Sequence, residues 1–198
     1  MSFQNKYLKY KNKYLELKKQ IGGASYYRNL PSLFRVIFTL NKSPNVNQDL
    51  SYLQTLVEEG ADVKAREPNQ NRTLLHTLFG VPLVNNFYTR LPFVDFCIKH
   101  GVDINATDNS GDTALIMACS DSDVNVIKKL LDNGANINMK NPLNGNTPLI
   151  TATAKKYVDV VKLLMESGAD VNARNKLGKS ALDIANNADI IKLLNTVV

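Results

Sequence analysis

One four-residue phrase occurs four times along the chain, as Gly60-Ala61-Asp62-Val63, Gly101-Val102-Asp103-Ile104, Gly134-Ala135-Asn136-Ile137 and Gly168-Ala169-Asp170-Val171, at spacings of 41, 33 and 34 residues. A second phrase keeps step with it: Thr73-Leu74-Leu75-His76, Thr113-Ala114-Leu115-Ile116, Thr147-Pro148-Leu149-Ile150 and Ser180-Ala181-Leu182-Asp183, at spacings of 40, 34 and 33. Two anchors with one period confine the chain to a stack of similar units. Each unit is too small to bury an apolar face alone and must bury it against its neighbours.

The residues before each glycine say what the unit contains. Positions −3, −4 and −7 are apolar every time: Val57, Leu56 and Leu53; Ile98, Cys97 and Val94; Leu131, Leu130 and Ile127; Met165, Leu164 and Val161. That spacing is one stripe of a helix. The glycine then takes the left-handed position just past the helix end, where a Cβ is penalised. Thr or Ser at the head of the second phrase starts another helix. The unit is therefore a turn, a short helix, a second helix and an extended link.

The phrases Asp108-Asn109-Ser110-Gly111-Asp112-Thr113-Ala114-Leu115 and Gly145-Asn146-Thr147-Pro148-Leu149, with the closing Gly168-Ala169-Asp170-Val171-Asn172, resemble the D-x-x-G-x-T-P-L signature of the ankyrin repeat. The resemblance runs over residues 30–198. It implies an all-α ankyrin-repeat solenoid of helix-turn-helix units with hairpin-like turns. The anchors divide it into five units, 30–67, 68–107, 108–140, 141–174 and 175–198, after a leader at 1–23 and a linker at 24–29. The first unit lacks the second phrase but has two apolar runs, Leu33 to Leu40 and Leu50 to Val57, as a capping unit would; the last is shortened between its helices and closes the stack. From Thr73 to Gly101 the second unit spans 28 residues, against 21 in the next two, so seven extra residues lie near 80–90 and lengthen the connection between its helices.

The net charge of +6 suggests nucleic acid until it is located: residues 1–28 hold seven Lys or Arg and one acid, Glu16, and beyond them seventeen basic residues face seventeen acidic ones. The body is neutral. At 44% hydrophobic content the chain can bury a core, which excludes global disorder. No run is long enough for a membrane span, and the lysine-rich start does not suit a signal peptide, so a soluble, cytoplasmic protein is expected. Cys97 and Cys119 lie among apolar residues as buried hydrophobes do, which suits a reducing compartment. There is no Walker loop, G-x-S-x-G, H-E-x-x-H or C-x-x-C. We therefore expect no enzyme, no cofactor, no metal and no small-molecule substrate.

The resemblance implies a module that binds proteins. Stacking uses the anchors, which leaves the turn tips and one face of each first helix free to vary. Matching the pattern nominates Arg72, Asn109, Ser110, Asp112, Ser120, Asp121, Asn144, Asn146, Lys155, Lys176 and Lys179 as partner-binding residues, against the plainer reading that they are solvated polar groups. Phe87 and Tyr88, in the insertion, are either an exposed aromatic contact or a cover for the gap. Asp112, Asp121 and Asp123 precede Lys155, Lys156, Lys176 and Lys179, a trend that would fit a partner of complementary charge. The family's usual role for His76 is hydrogen bonding within the turn region, and His100 precedes Gly101 at a helix C-terminus, which favours positive charge. Leu164 followed by Asp170-Val171-Asn172 resembles the acceptor pattern of ankyrin asparaginyl hydroxylases, with Asn172 either modified or bonded to the hairpin backbone.

In the leader, Phe3, Tyr7, Tyr10, Tyr14, Leu17 and Ile21 fall at spacings 4, 3, 4, 3 and 4, one stripe of a basic amphipathic helix that Gly22-Gly23 stops. Three uses stay open: packing on the array or on its own copy, lying on anionic lipid, or contacting nucleic acid through stacked tyrosines. The segment from Asn5 to Gly23 also resembles a leader on unrelated proteins of giant amoeba-infecting viruses of the mimivirus kind. That resemblance implies a viral protein meeting a host protein in host cytoplasm, or else a virion or scaffold component docked by its basic head. Gly22-Gly23-Ala24 resembles the Gly-Gly-x sites that some large DNA viruses cleave. A ubiquitin-ligase substrate adaptor, as some poxviral ankyrin proteins are, would carry an F-box-like tail, for which the final helix is expected to leave no room.

Overall fold

The computed structural model describes residues 33–34, 46–79 and 90–196. The leader with Gly22 and Gly23, the greater part of the run from Leu33 to Leu40, and Phe87 and Tyr88 lie outside the described residues. Leu33 and Phe34 are helical and join the core.

Besides Leu33 and Phe34, the described residues hold nine helices and no strand: α1 (Val46–Glu58), α2 (Leu74–Thr77), α3 (Leu91–Lys99), α4 (Ala114–Asp121), α5 (Val124–Asp132), α6 (Pro148–Lys155), α7 (Val158–Glu166), α8 (Ala181–Ile184) and α9 (Ala188–Leu194). They form two layers. Helices α2, α4, α6 and α8 pack on one another in that order, and α1, α3, α5, α7 and α9 do the same behind them. The chain is an all-α solenoid, as the repeated anchors predict.

Local chemistry sets the helix ends. Thr113 Oγ1 accepts the Ile116 N–H, Thr147 Oγ1 the Ile150 N–H and Ser180 Oγ the Asp183 N–H, each at 3.2 Å, so three helices of the first layer start on the same cap. At the other ends Gly60, Gly101, Gly134 and Gly168 have φ of 91°, 68°, 88° and 87°. The −4 and −7 positions of the stripe are buried in all four units, whereas the −3 residues are only partly covered. Position −8 is buried as well, at Phe93, Val126 and Val160, so the apolar face is wider than the spacing alone indicates. Each such side chain stabilises the stack by about 1.5–3 kcal/mol.

Two elements differ from their apolar runs. α1 begins at Val46, ahead of the run that starts at Leu50. α2 is a single turn, and residues 78–90 separate it from α3, whereas only Ser122 and Asp123 separate α4 from α5.

The turns before α4, α6 and α8 each contain a glycine of positive φ: Gly111 (75°), Gly145 (77°) and Gly178 (71°). For the first two, conformation is half the reason. A Cβ on Gly111 would stand 2.6 Å from Asn141 Oδ1, and one on Gly145 2.6 Å from the Lys176 backbone N, because the next turn lies against each; a Cβ on Gly178 meets nothing within 4 Å. Gly178→Ala is therefore expected to lose about 1 kcal/mol for the left-handed backbone alone. Gly145→Ala should lose about 2 kcal/mol more for displacing the neighbouring turn. Urea unfolding of the two variants measures the difference, and equal losses would mean that the turns do not touch as described.

Candidate protein-binding surface

The surface is a row of turns, each closed by one side chain. Glu67 accepts the N–H groups of Asn69 (2.9 Å) and Gln70 (2.7 Å), and Asp108 those of Ser110 (2.8 Å) and Asp112 (3.1 Å). Asn141 accepts from Leu143 (2.7 Å) and Asn144 (3.2 Å), and Asn175 from Leu177 and Lys179, both at 3.0 Å. A carboxylate or amide oxygen here satisfies amides that no helix or strand takes up.

These side chains also join one turn to the next, and the residue type follows the neighbour. Asp108 meets the Arg72 guanidinium at 3.3 Å. Asn141 instead turns its NH2 to the Ser110 carbonyl (2.8 Å) and the Asp112 carboxylate (2.7 Å), where a second carboxylate would be repelled. Asn175 donates to Asn146 Oδ1 at 2.9 Å. Backbone bonds from Asn109 N–H to the Gln70 carbonyl (2.8 Å) and from Lys176 N–H to the Asn144 carbonyl (2.9 Å) complete two of the junctions. A second set runs along the opposite links: Asn105 Oδ1 accepts the Asn136 N–H (2.7 Å) and Asn138 Oδ1 the Asp170 N–H (2.8 Å).

His76 ties the second unit to the third. Its Nε2 stands 3.0 Å from the Asp112 carbonyl, which can only accept, so Nε2 carries the proton; Nδ1 then accepts from the Thr73 hydroxyl (2.7 Å) and backbone N–H (3.3 Å). Arg90, a residue that sequence reasoning passed over, makes the other tie. It donates from Nε to the Leu78 carbonyl (2.8 Å), pairs with Asp121 (2.9 Å) and Asp123 (3.6 Å), and lies 5.4 Å from the Phe79 ring centroid. The available signal was a charge imbalance: residues 103–123 hold five aspartates and no Lys or Arg.

The nominated residues therefore divide into two groups. Arg72, Asp112 and Asn146 are partly buried in the junctions, and Asp121 faces Arg90. Burial raises the carboxyl pKa of both Asp112 and Asp121, opposed by the Asn141 bond at the first and by Arg90 at the second. Asn109, Ser110 and Asn144 are exposed at turn tips, although Asn109 Nδ2 bonds the Asn69 carbonyl (2.9 Å). Ser120 is half-buried on α4. Lys155, Lys176 and Lys179 are exposed, and no carboxylate lies within ion-pair distance of them among the described residues. The acidic end of the charge trend is thus partnered within the array, by Asn141 and Arg90, and its basic end has no such partner among the described residues.

The remaining reactive side chains are enclosed. Burial pushes both cysteine thiols up, away from thiolate chemistry. His100 caps α3 and packs on Phe96 with ring centroids 4.5 Å apart. Among the described residues no three His, Cys, Asp or Glu side chains are grouped to hold a metal ion, and no helix is long and apolar enough to cross a membrane. Asn172 is exposed.

A family model described as ankyrin repeats, in three copies, matches residues 43–141, 83–175 and 140–196, a span that includes all four turns.

Burial lowers the pKa of His76 from its ordinary 6.5, so the folded protein holds the ring neutral. The unfolded chain takes up a proton as pH drops through that ordinary value, whereas the native state resists until lower pH. The stability that the neutral ring contributes is present in full above about 6.5 and is lost as pH falls toward the folded value. Urea midpoints of the wild type should fall between about pH 7 and pH 5, and His76→Gln should show a shallower fall across that range. Identical slopes would contradict this role for His76.

Proposed function

The chain belongs to the ankyrin repeat family, whose repeats are in general protein-protein interaction modules, and from that premise we propose that this protein is a non-catalytic binding module for another protein. The observation that carries the reading is the division within the turns. Buried and half-buried polar groups hold the stack, while Asn109, Ser110, Asn144, Lys176 and Lys179 stand at tips exposed to solvent. Asn109 and Asn144 also make side-chain hydrogen bonds, but exposed residues held on a rigid, regularly spaced scaffold are what a recognition surface needs.

The finer reading is a viral protein that engages a host protein in host cytoplasm. It rests on the likeness of residues 5–23 to leaders of giant-virus proteins, and the structure does not describe those residues. A second reading, a virion or scaffold component, is favoured by one feature: the whole net charge lies in residues 1–28, where it would dock the array to anionic lipid or nucleic acid. Cleavage after Gly22-Gly23 would free the array from that head, and an exposed Asn172 is open to a hydroxylase. N-terminal sequencing and intact mass of protein from its native cell read these two modifications directly. A substrate-adaptor role in ubiquitin ligation would be a special case of the first reading.

Affinity capture separates the two main readings. Full-length protein, residues 24–198, and a Lys155→Glu/Lys176→Glu/Lys179→Glu variant are compared on one host lysate. Asp112 is left intact because reversing it would break its junction with Asn141. The binding-module reading expects a defined partner kept by 24–198 and lost on charge reversal. Capture that follows residues 1–23 alone would make the array a passenger.

A further inference from the structure

One turn position changes character along the stack. Two residues after the closing side chain stand Asn69, Ser110, Leu143 and Leu177 in successive turns. In each, the backbone N–H donates to that closing side chain, at 2.9, 2.8, 2.7 and 3.0 Å. The fold uses only backbone groups there, the amide in all four turns and the carbonyl too at Asn69 and Ser110, and asparagine and serine supply them as well as leucine does. Yet Leu143 is 62% exposed and Leu177 82%. A single exposed leucine is ordinary. Two at the same register on adjoining turns, which the Lys176–Asn144 and Asn175–Asn146 bonds hold together, make an apolar pair that stacking does not require.

The two turns that carry the pair contribute unpaired charge of one sign, while Asp112 of the preceding turn is bonded to Asn141. Residues 140–156 contain no carboxylate, and residues 174–183 contain only Asp183, which Arg174 holds at 2.8 Å. The Ser180 backbone N–H, ahead of the Ser180 hydroxyl, keeps the Asp183 carboxyl below the usual range, so it stays ionised and paired. Lys176 and Lys179 flank Leu177 with no counter-ion among the described residues.

We propose that the tips at 142–146 and 176–179 bind an acidic, extended segment of a partner protein, with Leu143 and Leu177 receiving apolar side chains and Lys176 and Lys179 its carboxylates. The proposal rests on the binding-module reading and names the partner's chemistry. Packed helices lie about 8–10 Å apart. Three residues of polyproline-type chain advance about 9 Å and return to the same face. The segment therefore carries apolar residues three apart, with acidic residues between them. A nucleic acid or an anionic lipid surface would meet the lysines and leave the leucines without a use.

The test is selection of a displayed random-peptide library on the full-length protein, followed by fluorescence anisotropy of the best peptide. It is repeated on Leu143→Ser/Leu177→Ser and on Lys176→Glu/Lys179→Glu, with urea midpoints confirming that both variants stay folded. The enriched peptides should be acidic with apolar residues three apart, and should bind more weakly as salt is raised. Each double variant should lose about tenfold or more in affinity. Peptides whose binding neither variant changes would place recognition elsewhere and leave the binding-module reading standing. No enrichment at all would count against both. A random-sequence oligonucleotide that binds as tightly as the peptide, indifferent to the leucine changes, would overturn the proposal in favour of a polyanion surface.

Discussion

Between the third and fourth units a single amide performs two tasks that the stack cannot do without. The Asn141 oxygen takes the Leu143 and Asn144 N–H groups of its own turn, and its NH2 reaches the Ser110 carbonyl and the Asp112 carboxylate of the turn before. Both ends of the side chain are thereby satisfied in a site that is almost closed to water, where an unpaired polar group costs about 1–3 kcal/mol. Asp108 does the corresponding work one turn earlier, but its outward neighbour is a guanidinium, so there the charged form fits. The choice between carboxylate and amide follows the charge of the adjoining turn.

Once the junctions are made by these side chains, the fold asks of Ser110 and Leu143 only their backbone groups, the amide at both and the carbonyl at Ser110. This separates stability from recognition along the chain: a residue such as Ser110 or Leu143 can change while the turn keeps its shape. The long connection in the second unit follows the same economy at larger scale. Arg90 stands at its end and reaches Asp121 and Asp123 of the third unit, so whatever path 80–89 takes, its exit is anchored to the stack. Asp123 in addition caps α5 through the Val126 N–H (3.2 Å), which joins helix start and inter-unit contact in one carboxylate.

The architecture was legible in the sequence because its signals are local. A glycine past a helix end, a Thr or Ser before a helix start and apolar residues at −4 and −7 each act within one or two turns of chain, and period repeats them. Family likeness extended that reading to the hydrogen-bonding role of His76, though not to its tie with Asp112. What escaped is set between units. Asp112 reads as a free tip residue and is half-buried, because its partner Asn141 is 29 positions away. Arg90 reads as part of an insertion, and its importance lies in carboxylates of the next unit. Leu143 and Leu177 belong to no helical stripe, so periodicity passes over them, and only their exposure marks them. Phe87, Tyr88 and the leader lie outside the described residues.

The most direct measurement is equilibrium urea unfolding of Asn141→Asp beside Leu143→Ser. Aspartate keeps the acceptor of the Asn141 turn but replaces the NH2 with a charge facing Asp112. The account predicts a loss of about 2–3 kcal/mol for Asn141→Asp, and a change within about 0.5 kcal/mol for Leu143→Ser. A neutral Asn141→Asp, or a Leu143→Ser that is equally destabilising, would contradict the separation of stack-holding side chains from free tips.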